Sequence, residues 1–431
     1  MLSKKKVLII GAGINGLVSG YYLARQGHDI VFAESKSEEA MLASYQNGGQ
    51  LSFGHVDSIA SYKNILQGFK SIAGFGGAIK ISPSCFTDPA FYKFAKGVAL
   101  SSARQNRAAN LANLAAFASF SKDSFCNDFL PSLNQDELSF ASYKQGGILH
   151  FFSNPKYLNS KIKHYKELKN IAFKPLAKND SLELEQALCF AKNICGGILF
   201  EADASINCKK LSLVLRKKLE DMGAKFCFNA SLNPLRDFTL QNQSNLTQSL
   251  KPIDVKFNCD IILLANGTDF DKFNKDLNLV GLSSYNAFYQ MLGYSFDIEV
   301  EHSAHAPQMA MTDSANRIVY SLHNDGKLLR VAGFADFMPL EKAQKIAAKP
   351  QDSKRIDDMY RIFLQTFPAL KKSKILNKWI GIRPCTASSL PIVQRSDKFS
   401  NVIISTGHTN LGLTLSFASA ARIVDIVHQS V

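Results

Sequence analysis

Val7-Leu8-Ile9-Ile10-Gly11-Ala12-Gly13-Ile14-Asn15-Gly16 runs an apolar, β-branched segment into a glycine-rich turn, and the residues after it read as a helix ending at Gly27. A second β-like run, Asp29 to Ala33, follows and closes on an acidic residue, Glu34. Strand, turn, helix, strand and acid in this order form a dinucleotide-binding βαβ unit. The glycines allow a tight turn and close backbone approach to a pyrophosphate on the helix N-terminus, and the carboxylate takes ribose hydroxyls. Glu34 would repel a 2′-phosphate, which argues against NADP and leaves FAD or NAD.

Lys4, Lys5 and Lys6 precede an apolar stretch from Val7 to Ala24, so a signal peptide or membrane span has to be weighed. Three glycines on the fingerprint spacing, Asn15, and the lack of a small-residue cleavage site at the right place argue against both. No other stretch is long and apolar enough to span a bilayer, so the expectation is a soluble or peripheral protein.

The 431 residues can hold two or three core-forming units, and 46% hydrophobic residues is ordinary for a globular enzyme. Fifty Lys and Arg against 36 Asp and Glu give +14 and a pI near 9.3. Lysines such as Lys209, Lys210, Lys217 and Lys218 are spread along the chain, with no dense basic tail and no aromatic interleaving, so nucleic acid is not an expected partner. The eight cysteines show no C-x-x-C or zinc spacing, and most read as small core residues of a reducing compartment. Neither a metal cluster nor a serine-histidine-acid set can be assembled.

Further along, Ala43 to Leu51 is polar and glycine-rich, suited to backbone wrapped around a ligand. Residues from about Phe91 to Leu130 have helical spacing and read as helices of a separate region; Gly146 to Phe152 reads as a strand. Lys210 to Met222 is an amphipathic helix with Leu211, Val214, Leu215, Leu219 and Met222 on one face and Gly223 as cap. Lys225 to Asn229 would supply a third Rossmann strand, and Gln241 to Ser249 a surface loop or hairpin. Cys259 to Gly267 is a buried strand ending in Asn-Gly, a second approach of backbone to the nucleotide. A mixed, aromatic region from Tyr285 to about Lys374 precedes Trp379 to Pro384, the strand Asn401 to Thr406, and Gly407 to Gly412 opening a helix through His428. Nucleotide-binding pieces at start, middle and end imply a second domain inserted in two parts, and they favour FAD over NAD.

The chain resembles the FAD-dependent D-amino acid oxidase superfamily, and within it the small-subunit branch of bacterial D-amino acid dehydrogenases. The resemblance spans nearly the whole length. It rests on the N-terminal fingerprint, Gln46-Asn47-Gly48-Gly49-Gln50-Leu51-Ser52, Gln145-Gly146-Gly147, Gly196-Gly197-Ile198-Leu199, Gly293-Tyr294-Ser295, Gly381-Ile382-Arg383-Pro384 and Ser405-Thr406-Gly407-His408. One departure is Thr386-Ala387-Ser388-Ser389, where the family usually has Thr-Pro-Asp-Gly. The implied fold is α/β: a Rossmann-like FAD-binding domain (1–75, 200–280 and 375–431) with an inserted α+β substrate-binding domain carrying a mixed antiparallel sheet (76–199 and 281–374).

The implied activity is oxidative deamination of D-amino acids, with electrons passed to a quinone or other respiratory acceptor. The place of work would be cytoplasmic, with peripheral contact on the inner membrane as an open alternative. A glycine- or sarcosine-type amine oxidase using oxygen, and a catalytically silent flavin-binding partner subunit, are the competing readings. Hydride removal from Cα requires a clamped carboxylate, and the planar fork of an arginine suits it. Arg383 is the first choice and Arg330, in the β-like run Leu328 to Ala332, the fallback. Tyr294 could hydrogen-bond the carboxylate, and His408 could accept a proton or shape its loop. Cofactor contacts are expected from Gly11, Gly13, Ile14, Asn15, Gly16, Glu34 and Ser35; from Ser44, Asn47, Gly48, Gly49, Gln50 and Leu51; and from Leu232, Asn266, Gly267, Gly381 and Gly407. Gly412, Leu413 and Thr414 open a helix whose N–H groups would stabilise negative charge on a reduced flavin. His55 is expected only to pack, and Cys385 to be a buried small residue rather than a flavin thioether.

Overall fold

The computed structural model describes residues 3–58, 62–72, 77–168, 171–242, 248–284, 286–302 and 305–429. The expected domain boundary at 75/76, the start of the aromatic region at Tyr285 and the tip of the hairpin at 243–247 lie outside the described residues.

Val7, Leu8, Ile9 and Ile10 are all buried, as a central parallel strand covered on both faces requires. Lys6–Ile10 sits in a six-stranded sheet ordered Lys225–Cys227, Asp29–Ala33, Lys6–Ile10, Ile261–Leu264, Val402–Thr406, Ile392–Arg395. The first five strands run parallel and Ile392–Arg395 pairs antiparallel at the edge. The order reverses between Lys6–Ile10 and Ile261–Leu264, which opens a crevice at the carboxyl ends of the strands. At the turn, Gly11 has φ +102°, and a Cβ there would stand 2.6 Å from the carbonyl oxygen of Ala265. A Cβ on Gly16 would stand 2.1 Å from the Gly11 carbonyl oxygen, so the helix Ile14–Arg25 packs this closely only because both are glycine.

The second sheet has nine strands. Its path is Ile375–Thr386, Phe288–Glu299, Leu328–Phe337, Ile318–His323, Ala310–Asp313, Ile148–Phe152, Gly196–Phe200, Lys174–Ala177, with Ile79–Ile81 pairing Leu328–Phe337. Most pairings are antiparallel; Ala310–Asp313 with Ile148–Phe152 and Ile79–Ile81 with Leu328–Phe337 are parallel. The molecule is therefore the mixed α/β fold expected.

The packing departs from the expectation in several places. Ile375–Thr386 belongs to the nine-stranded sheet, because it pairs with Phe288–Glu299 from Phe288 opposite Thr386 to Ile298 opposite Ile375. The helix Arg104–Asp123 lies against the final helix, Gly412–His428, rather than in a separate region. Ser121 Oγ donates to the Thr414 carbonyl and accepts from the Ala418 N–H, and Phe125 and Phe129 beyond it pack on Phe417. The helix Cys208–Asp221 buries Leu211, Val214, Leu215 and Leu219 but leaves Met222 42% exposed, since Met222 is already its cap. Lys225–Cys227 ends two residues early because Asn229 turns left-handed at φ +54°. Gln50–Leu51, expected as loop, forms a short strand against Ala204–Ser205, and this buries Leu51. Cys126 and Cys189 are exposed, and all eight cysteines are free. Phe238–Asn242 and Gln248–Pro252 form a hairpin. Among the described residues no helix is long and apolar enough to cross a membrane.

Candidate functional site

A cavity of about 560 Å³ opens at the carboxyl ends of the parallel strands and extends to one face of the nine-stranded sheet. Gly11, Gly13, Ile14, Asn15, Glu34, Ser35, Leu232, Asn266 and Gly267 line one end. Ser44, Asn47, Gly48, Gly49, Gln50, His408, Gly412, Leu413 and Thr414 line the middle, and Met291, Phe334 and Arg383 the face of the second sheet. The expected loop bridges the two sheets. Gln50 Nε2 donates to the Met311 carbonyl, and Thr312 Oγ1 to Gln50 Oε1. Ser321 Oγ donates to the Gly48 carbonyl at 2.7 Å.

Glu34 is buried and held by three donors. The Ala12 N–H reaches its Oε2 at 2.7 Å, while the Lys36 N–H and Ser35 Oγ reach Oε1 at 2.9 and 3.2 Å. A carboxylate has about four acceptor positions, so room remains for a ribose hydroxyl. The helix Ile14–Arg25 starts at Gly13 and the final helix at Leu411, neither with a side-chain cap. The Ile14 N–H donates to Ser44 Oγ at 3.1 Å, and both helix starts line the cavity, a setting that favours an anion or a polarised carbonyl. Asn15 Oδ1 and both polar atoms of the Asn266 side chain are buried there without a hydrogen-bond partner among the described residues. Buried amide atoms are costly when unpaired, so these groups fit a ligand rich in oxygen and nitrogen, as FAD is.

Four expected cofactor residues stand off the cavity. Gly16 supports the turn from behind and Leu51 is inside the core. Gly381 faces Trp379 and Ala43, and Gly407 is a turn residue at φ +76° whose added Cβ would meet Thr386.

The arginines separate cleanly. Arg330 is 6% exposed and grips Asp297 through two bonds, Nε to Oδ1 at 2.9 Å and Nη2 to Oδ2 at 3.0 Å. It does not line the cavity, which removes it as fallback clamp. Arg383 lines the cavity, donates from Nη1 to the Phe334 carbonyl at 3.1 Å, and has no carboxylate partner among the described residues. Burial pulls its guanidinium below the ordinary arginine range. Gly293 makes room for it: a Cβ there would stand 2.0 Å from Nη2.

Tyr294 does not reach the cavity. Met291 pairs with Arg383 and shares its face of the sheet, whereas Tyr294 pairs with Ile380 on the other face. It is 3% exposed, and its hydroxyl donates to Asp336 Oδ2 at 2.8 Å, a carboxylate also bound by Arg355. Burial, with Asp336 beside it, raises the phenol far above its usual range.

His408 lines the cavity, with Nε2 2.8 Å from Ser419 Oγ. The single Ser419 hydroxyl hydrogen goes to the Leu415 carbonyl, so Nε2 carries the donated proton. Burial drives the ring down to about 3, which makes it a poor acceptor for an ammonium proton at neutral pH and leaves it a role in shaping the loop. Cys385 is fully buried, off the cavity, and burial raises its thiol to about 12.

The far end holds groups with no local sequence signal. Lys161 Nζ meets Asp57 Oδ2 at 2.6 Å, beside His55, His150, Tyr157, Tyr165 and Arg317. Burial would raise Asp57, but Lys161, His55 and Arg317 outweigh it and hold the carboxyl below its usual range. Burial holds His55 at about 4, so it is neutral at pH 7, its ring 4.2 Å from that of His150 and tilted by 45°. Thr386-Ala387-Ser388-Ser389 closes with Ser389 at φ +67°, where the family pattern carries glycine, and Ser389 Oγ lies 3.1 Å from Ser58 Oγ. Among the described residues no cluster of His, Cys, Asp and Glu forms a metal site.

The model for FAD dependent oxidoreductases matches residues 6–426. A D-amino acid dehydrogenase of Vibrio atlanticus is 23% identical over 428 residues, covering 99% of this chain and 96% of that one. Glycine oxidase from Geobacillus kaustophilus superposes with a TM-score of 0.69 at 15% identity, covering 99% and 95% of the two chains. L-alpha-glycerophosphate oxidase from Mycoplasma pneumoniae, solved with FAD bound, gives 0.65 at 16% identity, over 99% and 95%.

Proposed function

Because the chain belongs to the FAD dependent oxidoreductase family, and FAD is its cofactor, we propose that it deaminates D-amino acids oxidatively to 2-oxo acids and ammonia. The observation that carries this reading is Arg383: a half-buried guanidinium with no carboxylate partner among the described residues, on the sheet face of a cavity whose other end suits a dinucleotide. The D configuration rests on the name of the Vibrio relative.

Gly11, Gly13, Ile14 and Asn15 would hold the pyrophosphate, Glu34 the ribose, and Gly412 to Thr414 the electron-rich edge of the flavin. Bound there, FAD supplies a two-electron acceptor that takes hydride from the substrate Cα. Arg383 holds the carboxylate with its fork, fixed in direction by the Phe334 carbonyl and the notch above Gly293. The apolar wall of Ile79, Met291, Val319, Ala332 and Phe334 excludes water from the reacting carbon.

The electrons pass to a quinone or another respiratory acceptor in this reading, and the protein works as a dehydrogenase small subunit. Its charge of +14 supplies attraction to an anionic leaflet, about 1 kcal/mol per well-placed basic residue and screened within about 8 Å at physiological ionic strength. The test is turnover of D-alanine by the purified yellow protein with a quinone analogue and with oxygen. Fast quinone reduction and slow peroxide formation are expected. Oxygen turnover equal to the quinone rate would make the protein an oxidase of the glycine or sarcosine type. Failure of every D-amino acid to turn over would leave the silent-subunit reading. Release from membranes by salt is expected, and soluble behaviour at low salt would remove the membrane contact.

A further inference from the structure

Arg317 is a second guanidinium on the cavity wall. It lines the wall between Ser314 and Val319, and no carboxylate stands within ion-pair distance of it among the described residues. Its one hydrogen-bond partner there is neutral: Nη2 donates to Asn64 Oδ1. A guanidinium has five N–H donors, so most of the fork is uncommitted. The neighbouring carboxylate, Asp57, is engaged by Lys161 at 2.6 Å. His55 and His150 are both held neutral by burial. At neutral pH, Arg317, Lys161 and Arg383 thus face one cavity with Asp57 as the single carboxylate at that end.

The backbone holds Arg317 there at a cost. Asp313 accepts the Ala315 and Asn316 N–H groups at 3.0 Å each, closing a tight turn, and Arg317 then adopts φ +53°. Phe334, on the opposing strand, is also left-handed at φ +60°. Non-glycine residues in this region cost of order 1 kcal/mol or more, and such strain gathers at functional sites. The two arginines flank this distorted stretch. The Arg317 carbonyl lies 2.5 Å from where a Gly333 Cβ would be, and Arg383 donates to the carbonyl of Phe334, the next residue.

We propose that the cavity takes dicarboxylic D-amino acids, the α-carboxylate on Arg383 and the side-chain carboxylate on Arg317. This inference rests on the oxidation of D-amino acids proposed above and names their class. A neutral side chain would leave Arg317 unpaired once the mouth is filled, whereas a second carboxylate completes its fork.

The FAD-loaded protein is compared as wild type, Arg317→Gln, which keeps a donor for Asn64 but removes the charge, and Arg317→Lys, which keeps charge without the fork. Dissociation constants of glutarate and butyrate are read from the flavin absorbance, and kcat/KM is measured for D-glutamate, D-aspartate and D-alanine. Glutarate should bind at least roughly tenfold more tightly than butyrate. One of the acidic D-amino acids should exceed D-alanine in kcat/KM by a similar factor. Both preferences should collapse in Arg317→Gln and survive in part in Arg317→Lys. Equal affinity for glutarate and butyrate in the wild type, or a preference unchanged in Arg317→Gln, would overturn the assignment. Oxidation of D-alanine with both acidic substrates inert would sink this inference and spare the D-amino acid reading. Arg317-dependent glutarate binding with no D-amino acid oxidised would do the reverse.

Discussion

The two ends of the cavity are built by different means. At the nucleotide end the chain presents backbone: the Gly11 turn, two helix starts, and a glutamate whose position is set by N–H groups two and twenty-two residues away. At the sheet end it presents long cationic side chains from strands and turns far apart in sequence, among them Arg317 and Arg383. Backbone sites are written in short motifs because each atom's position follows from its neighbours. Side-chain sites depend on which partner happens to be absent, and that is a property of the whole fold.

Arg330 and Arg383 make the contrast sharpest, and the largest expected effect tests it. Asp297→Ala leaves the Arg330 guanidinium buried without its carboxylate, which should cost about 3–5 kcal/mol of stability, read as a fall in the unfolding midpoint. A midpoint unchanged by that substitution would mean that Arg330 is free to act elsewhere. Next, Arg383→Lys keeps the charge but loses the fork. A loss of about 1.5–3 kcal/mol in transition-state binding, roughly 10- to 150-fold in kcat/KM, is expected with FAD content unchanged. Turnover unaffected in the flavin-replete variant would move the clamp to another residue.

The nucleotide end is probed by Glu34→Ala. Loss of its ribose bonds should weaken FAD by about 1–3 kcal/mol, seen as flavin lost on dilution. Retention at wild-type affinity would break the assignment of that end.

The smallest effect is a pH slope. Burial holds His408 at about 3 and His55 at about 4, below the unfolded value of about 6.5. Between the folded and unfolded values the unfolded chain binds more protons, so stability is complete above pH 6.5 and is lost as the pH falls towards 4 and 3. One unit below 6.5 each ring contributes about 1.4 kcal/mol of destabilisation. Stability curves of wild type and His408→Asn between pH 7 and 4 should show a shallower slope in the variant. Parallel slopes would show that His408 is charged in the folded protein.

Much of the fold was legible, for reasons tied to particular residues. Val7 to Glu34 carries its geometry locally, and Ile261–Leu264 with Asn266-Gly267 repeats the strand-to-turn pattern at the same crevice. The final helix starts at Gly412 as its glycine signalled. Ile375–Thr386 was not legible as part of the second sheet, because its partner Phe288–Glu299 lies nearly ninety residues away and no spacing rule links them. Arg104–Asp123 read as part of a separate region because helical spacing shows a helix but not which helix it packs on. Its alanines and serines are what let it approach the final helix closely. Tyr294 was misplaced by strand parity, which needs the register with Arg383 to decide. Lys161, Asp57 and Arg317 come from three separate segments and meet only through the fold.

Oxidation of a D-amino acid held by Arg383 is tested most directly by anaerobic reduction, which involves no acceptor. The FAD-loaded protein is mixed with D- or L-enantiomers of glutamate and alanine, and bleaching of the flavin is followed in wild type and Arg383→Lys. A D-enantiomer should bleach the flavin and its L partner should not, with the rate at low substrate strongly reduced in the variant. Bleaching by the L-enantiomers alone, or at the same rate in both proteins, would contradict this reading.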